Sequence, residues 1–196
     1  MTGHRPAAVL VAIPAHDEQD LLPGCLASVR AAVARCVGTA RGTAISTGLA
    51  LLGTEPADTW IANTDADSTV PPGWLLHQLE LAGAGAELVL GTAQPDPEHT
   101  DPALLAAWFA EHQLDERHRH VFGANLGLRA DVWAAVGGFG PRSLHEDVAL
   151  VQRVRSRFRV GTSDVHRVRT SSRLTNRVAG GLGGYLATLT PAAALP

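Results

Sequence analysis

Trp60-Ile-Ala-Asn-Thr-Asp-Ala-Asp-Ser-Thr-Val-Pro-Pro-Gly-Trp74 is the stretch from which the rest of the chain can be placed. It carries two carboxylates, Asp65 and Asp67, from the end of an apolar run to the start of a helix. Two carboxylates one residue apart can reach a single point, and at neutral pH they repel unless a cation sits between them or one keeps its proton. A divalent ion such as Mg2+ or Mn2+, its shell completed by phosphate oxygens, is the economical explanation. The plainer reading is a turn before a helix, where Asp and Ser serve as caps without any ligand.

Upstream, the run Asp58–Thr64 reads as a strand, and Ala7–Ile13 is a second continuous apolar run, closed by Pro14. Runs of this kind suit parallel strands buried on both faces. His16-Asp-Glu-Gln-Asp20 then opens a helix with Leu21, Leu22, Cys25, Leu26, Val29 and Val33 at helical spacing, so His16 and Glu18 stand at the carboxyl end of a strand. In open α/β sheets that edge receives ligands. No β-branched run lies between Ala31 and Asp58, which leaves the second strand short or missing. Val37–Ala44 reads instead as the approach to a small-residue helix ending near Leu52.

Downstream, a helix is predicted from about Gly73, with Leu75, Leu76, Leu79 and Ala82 buried and Gly83 or Gly85 as its stop. Glu87–Thr92 reads as a strand, Gln94–Pro102 as a solvated loop, and Pro102 to about Arg117 as a helix. His118–Leu128 is irregular and marked by glycine. Ala130–Val136 is a short helix stopped by Gly137 and Gly138, and a longer one runs from His145 to about Arg157 with Val148, Leu150, Val151 and Val154 buried. Two strand-like pieces, Arg159–Gly161 and Val165–Thr170, complete an α/β pattern. No repeat or linker divides residues 1–196, so a single domain is expected.

The chain of 196 residues is 45% apolar, enough to bury a core without staples. Its net charge of −3 gives no broad electrostatic reason to expect nucleic acid as a partner. All sixteen basic residues are Arg, which excludes a catalytic lysine. Cys25 and Cys36 lie about three turns apart on a predicted helix, too far for a disulfide. With no secretory pattern at the N-terminus, a cytoplasmic location is expected. The uncharged stretch from Val178 onward is too rich in Gly and Pro to span a bilayer well, and peripheral contact with a membrane surface is the more compatible alternative.

Two further groups carry candidate chemistry. His145-Glu146-Asp147 opens a helix, where acids match the dipole; a carboxylate there could also serve as a general base. Phe122-Gly-Ala-Asn-Leu-Gly127 combines small residues, which let backbone approach a ligand, with the amide of Asn125, suited to hydroxyl groups; an ordinary turn reads equally well. The histidines lack zinc-motif spacing. Arg153, Arg155, Arg157 and Arg159 cannot share one helical face and read as a solvated run.

Taken in order, Ile13-Pro-Ala-His-Asp-Glu18, Thr64-Asp-Ala-Asp67, Gly123-Ala-Asn-Leu-Gly127, Gly137-Gly-Phe139 and His145-Glu-Asp147 resemble the family 2 glycosyltransferases of the GT-A fold. The resemblance spans about Ala8 to Gly184. It implies a Rossmann-like, mostly parallel central sheet flanked by helices, and an inverting transfer of a sugar from a nucleotide-diphosphate sugar to an acceptor hydroxyl, as in a hexosyltransferase. It further implies donor contacts at Pro14, Ala15, His16 and Glu18, with Arg41 assisting and Asn125 near donor sugar and acceptor. Asp65 and Asp67 would bracket the diphosphate and its Mg2+ or Mn2+, with His166 completing the metal shell. Asp147 would be the base, beside Glu146. The sequence departs from the family by lacking the second strand with its acidic turn, which holds the nucleoside. That departure implies an alternative, a GT-A-like binding protein with an impaired donor site.

Overall fold

The computed structural model describes residues 6–13, 22–23, 25–26, 37–38, 41–139, 145–174 and 182–189. Strand β1 is Ala8–Ile13, β2 is Val37–Gly38, and helix α1 is Arg41–Leu52. Strand β3, Thr59–Asn63, leads through the acidic turn into the two-residue β4, Ser68–Thr69, and helix α2, Trp74–Gly83. Strand β5 is Leu88–Pro95, α3 is Pro102–Glu111, β6 is Leu126–Arg129 and α4 is Ala130–Ala135. Helix α5, Glu146–Arg155, strand β7, Val160–Thr170, and helix α6, Leu182–Leu189, follow.

The strands form one sheet in the order β2-β1-β3-β6-β5-β7-β4. Parallel pairing of β1 with β2 and β3, and of β5 with β7, combines with antiparallel pairing at β6 and β4, so that five strands point one way. The expected α/β architecture with a mostly parallel sheet is present. Its apolar runs are buried on both faces: Val11, Ile13, Trp60, Ala62 and Val89 enter one core cluster, while Ala12, Ile61, Leu88 and Leu90 enter the other. This explains why β1, β3 and β5 read as continuous apolar stretches rather than alternating ones.

Several local expectations change. Val37–Gly38 is a strand and not part of a helix approach: it pairs in parallel with Ala12 and Ile13, so the second strand is short rather than missing. Within the stretch His118–Leu128, expected to be irregular, Leu126 begins a central antiparallel strand, Leu126–Arg129, between β3 and β5. Its one glycine interrupts the apolar pattern; a Cβ on Gly127 would lie 2.1 Å from the Gln78 carboxamide. Strand β5 continues to Pro95, into the expected loop, because β7 pairs with it as far as Thr170. The two C-terminal fragments are one strand, interrupted by an irregular bulge that holds residues 164–167 between Ser163, opposite Gly91, and Val168, opposite Ala93. Helix α3 stops at Glu111, six residues short of Arg117. In α2, Trp74 and Gln78 are buried while Leu76 is 53% exposed, so the buried stripe is rotated from the predicted one.

Candidate active site

Asp65 leaves the carboxyl end of β3 in a turn closed by the Ser68 amide donating to the Asp65 carbonyl at 3.1 Å. The same carbonyl accepts the Cys25 thiol at 3.2 Å. Asp67 is fixed by its backbone, whose carbonyl accepts from the Ser171 amide at 3.1 Å, just beyond the β4–β7 pairing. The acidic turn thus links one half of the sheet to the far edge strand.

Arg41 gathers the second constellation onto this turn. Its guanidinium donates through Nη2 to Asp65 Oδ1 at 2.5 Å and through Nη1 to Glu146 Oε1 at 3.0 Å. It is only 9% exposed and lies 5.3 Å from the Phe139 ring centroid. Arg41 is the first residue of α1, where the helix dipole disfavours a cation. Two carboxylates offset that cost, and the buried Nε finds no partner among the described residues.

Asp147 stands next to the bridge. Its Oδ2 and Arg41 Nη1 would lie 3.1 and 2.7 Å from a Cβ built on Gly123, so the glycine lets the backbone pass between them. Oδ1 accepts the Val148 amide at 2.7 Å. The preceding His145 has φ 55°, the sole positive φ at a non-glycine among the described residues. A left-handed conformation in a non-glycine residue is held against a local cost and is common near functional sites.

Asn125 serves the frame. Its Nδ2 donates to the Thr92 carbonyl at 2.8 Å and the His166 carbonyl at 2.9 Å, while Oδ1 accepts from Trp74 Nε1 at 2.8 Å. With 2% exposure, both amide hydrogens and the oxygen are used within the protein. His166 sits in the β7 bulge with its ring 5.2 Å from that of His77, and burial, then the neighbouring His77, holds its imidazole below the usual value. Among the described residues, no three His, Cys, Asp or Glu side chains are gathered as a metal set, so Asp65, Asp67 and His166 do not form one. The reason is topological: the bulge turns His166 toward α2, while the acidic turn lies beyond the end of β7. Pro14, Ala15, His16 and Glu18 fall outside the described residues.

Arg173 lies outside every motif that the sequence singles out. Its Nη2 lies 3.2 Å from Asp67 Oδ2, a contact that depends on Ser68 pairing with Thr170 a hundred residues later in the chain. Each carboxylate of the acidic turn therefore faces a guanidinium. Two hard oxygen donors suit a dication shared with a diphosphate, and they do not suit one held by protein ligands alone.

No protein-family model matches the chain, and no curated protein matches it in sequence. Solved structures do match. TarS residues 1–349 from S. aureus, in complex with UDP-GlcNAc, superposes with a TM-score of 0.61 at 9% identity over 89% of this chain and 61% of that one. The mannosyltransferase PcManGT from Pyrobaculum calidifontis, in complex with GDP-Man and Mn2+, gives 0.56 at 13% identity over 88% and 58%. A197 from STIV gives 0.52 at 11% identity over 82% and 84%. This chain spans about three fifths of the first two. Its sheet topology and flanking helices are those of a GT-A-like fold, as in these neighbours.

Proposed function

We propose that this protein is an inverting family 2 glycosyltransferase that moves a hexosyl group from a nucleotide-diphosphate sugar to an acceptor hydroxyl. The observation that carries the reading is the Arg41 bridge: residues 41, 65 and 146 meet in one ion-paired group with Asp147 alongside. The Asp147 carboxylate takes the proton from the acceptor hydroxyl as its oxygen attacks the anomeric carbon in line, and the glycosidic bond to the diphosphate breaks with inversion. Glu146 holds Arg41, and Arg41 in turn orients Asp65 and offsets negative charge at the turn. Asp67 and Asp65 would hold Mg2+ or Mn2+ together with the diphosphate, and the ion would supply stabilisation of charge on the leaving group. The two glycosyltransferase neighbours with bound UDP-GlcNAc and GDP-Man support this class of donor.

Asp147→Asn is expected to lower kcat at least about a hundredfold while nucleotide affinity changes by no more than about twofold. Loss of both turnover and nucleotide binding would mark Asp147 as structural. A second reading, a GT-A-like binding protein with an impaired donor site, draws on the two-residue length of β2. Calorimetry with UDP and GDP, with and without Mn2+, separates the two, because an enzyme of this kind binds one of them and the impaired relative binds neither.

A further inference from the structure

A cavity of about 470 Å³ opens beside the acidic turn, lined by Thr69, Val70, Pro71, Pro72, Gln94, Arg167 and Arg169. Its size falls within the range of small-molecule sites, roughly 300–1,000 Å³. We infer that this cavity is the acceptor pocket and that it takes an uncharged carbohydrate; the acceptor role rests on the transferase reading above.

Placement argues for the acceptor rather than the donor. Thr69 lies two residues past Asp67, on β4, while Gln94 belongs to β5 and both arginines to β7. These strands form the edge of the sheet opposite β1 and β2. With Thr69 two residues past Asp67, the cavity lies on the β7 side of the acidic turn, away from β1.

The lining chooses the ligand class. Val70, Pro71 and Pro72 form an apolar wall suited to the C–H face of a sugar ring, and the cavity also carries an amide, a hydroxyl and two guanidinium groups. Among the described residues, neither the Thr69 hydroxyl nor the Gln94 carboxamide has a hydrogen-bond partner. The arginines, by contrast, are already neutralised. Asp164 accepts from Arg167 Nε at 2.6 Å and Nη2 at 2.5 Å, and Arg169 Nη1 lies 2.7 Å from Glu98 and 3.7 Å from Asp96. Two guanidinium groups against three carboxylates leave no excess positive charge to attract an anion, while the arginines' remaining N–H groups can still donate to hydroxyls. A neutral polyol fits this combination and a phosphorylated or carboxylated sugar does not.

Saturation-transfer NMR on the full chain tests this with methyl glucoside, methyl galactoside, maltose and cellobiose as neutral probes, and glucuronate and glucose 6-phosphate as anionic ones. Wild type, Gln94→Leu and Thr69→Val are compared, with melting temperature checked for each and UDP and GDP titrated on the same samples in Mn2+. At least one neutral probe should receive saturation, reduced about fivefold or more in the variants, while nucleotide affinity stays within about twofold. Signal from the anionic probes alone, signal unchanged by both variants, or no signal from any neutral probe overturns the proposal. The two readings fail separately. Nucleotide binding without sugar signal rejects the pocket alone, whereas variant-sensitive sugar signal without nucleotide binding retains a carbohydrate site and rejects its role as acceptor pocket.

Discussion

Gly123 makes the strongest single-residue case for function in the described part of the chain. A methyl group there would sit 2.7 Å from Arg41 Nη1 and 3.1 Å from Asp147 Oδ2, so Gly123→Ala must displace the bridge or the carboxylate beside it. Both are side-chain ends, and the fold can absorb the shift more easily than the chemistry can. We expect kcat to fall by about tenfold to a hundredfold with only a small change in melting temperature, as for reacting groups moved by a fraction of an ångström. Asn125 is the opposite case. Asn125→Ala removes three internal hydrogen bonds and strands the buried indole N–H of Trp74, so about 3 kcal/mol of stability should be lost in urea denaturation. Unchanged stability with weakened donor binding would instead return Asn125 to the ligand-contact role that its motif suggests.

Elements show how position in the fold reassigns residues. The basic run, read from sequence as solvated, supplies Arg153, whose Nε donates to the Val136 carbonyl at 2.9 Å and whose Nη2 donates to the Gly138 carbonyl, closing the end of α4. Helices α3 and α6 meet through rings: His112 stacks on Trp108 with centroids 3.7 Å apart, and Tyr185 stands edge-on to both. Burial holds the His112 imidazole below its usual value, and the nearby His120 adds to this against the hydrogen bond to the Trp108 carbonyl. His166 shifts the same way. A histidine with a depressed folded pKa favours the neutral form, so the unfolded chain binds more protons between the folded and unfolded values. The contribution of these two histidines is therefore fully present above about pH 6.5 and is lost as pH drops through their lowered folded values. Burial alone would raise Asp164, but hydrogen bonds from Arg167 and Thr92 bring it below the usual carboxylate value, so its contribution is lost only in stronger acid. Melting curves from pH 7 to pH 5 should show declining stability, and His112→Gln should flatten that slope.

For the whole molecule, the proposed transferase reading predicts that nucleotide diphosphate stabilises the fold. UDP or GDP at about a hundred times its dissociation constant should add about 2.7 kcal/mol, seen as a raised melting temperature, and EDTA should weaken nucleotide binding by about tenfold or more. A melting temperature indifferent to both nucleotides in Mn2+ would argue against the transferase reading. Among the described residues, no helix is long and apolar enough to cross a membrane.

The sequence alone determined the apolar strands β1, β3 and β5, the helix starts around them, and the order of three chemical motifs. Those features are local: a strand buried on both faces must be apolar along its length, and an acid at a strand end or helix start is visible without knowing its neighbours. Strand β6 was hidden because its central position requires Gly127, and β2 because two residues carry no periodicity. Only the tertiary structure decided which charges meet. Arg41 reaches Glu146 across 105 residues and Arg173 reaches Asp67 across 106, distances in sequence over which no spacing rule operates. It also separated Asn125, whose polar groups are consumed by the frame, from Asp147, whose carboxylate stands beside the bridge. The reason is that hydrogen-bond capacity is fixed by residue type, whereas the partner that uses it is fixed by packing.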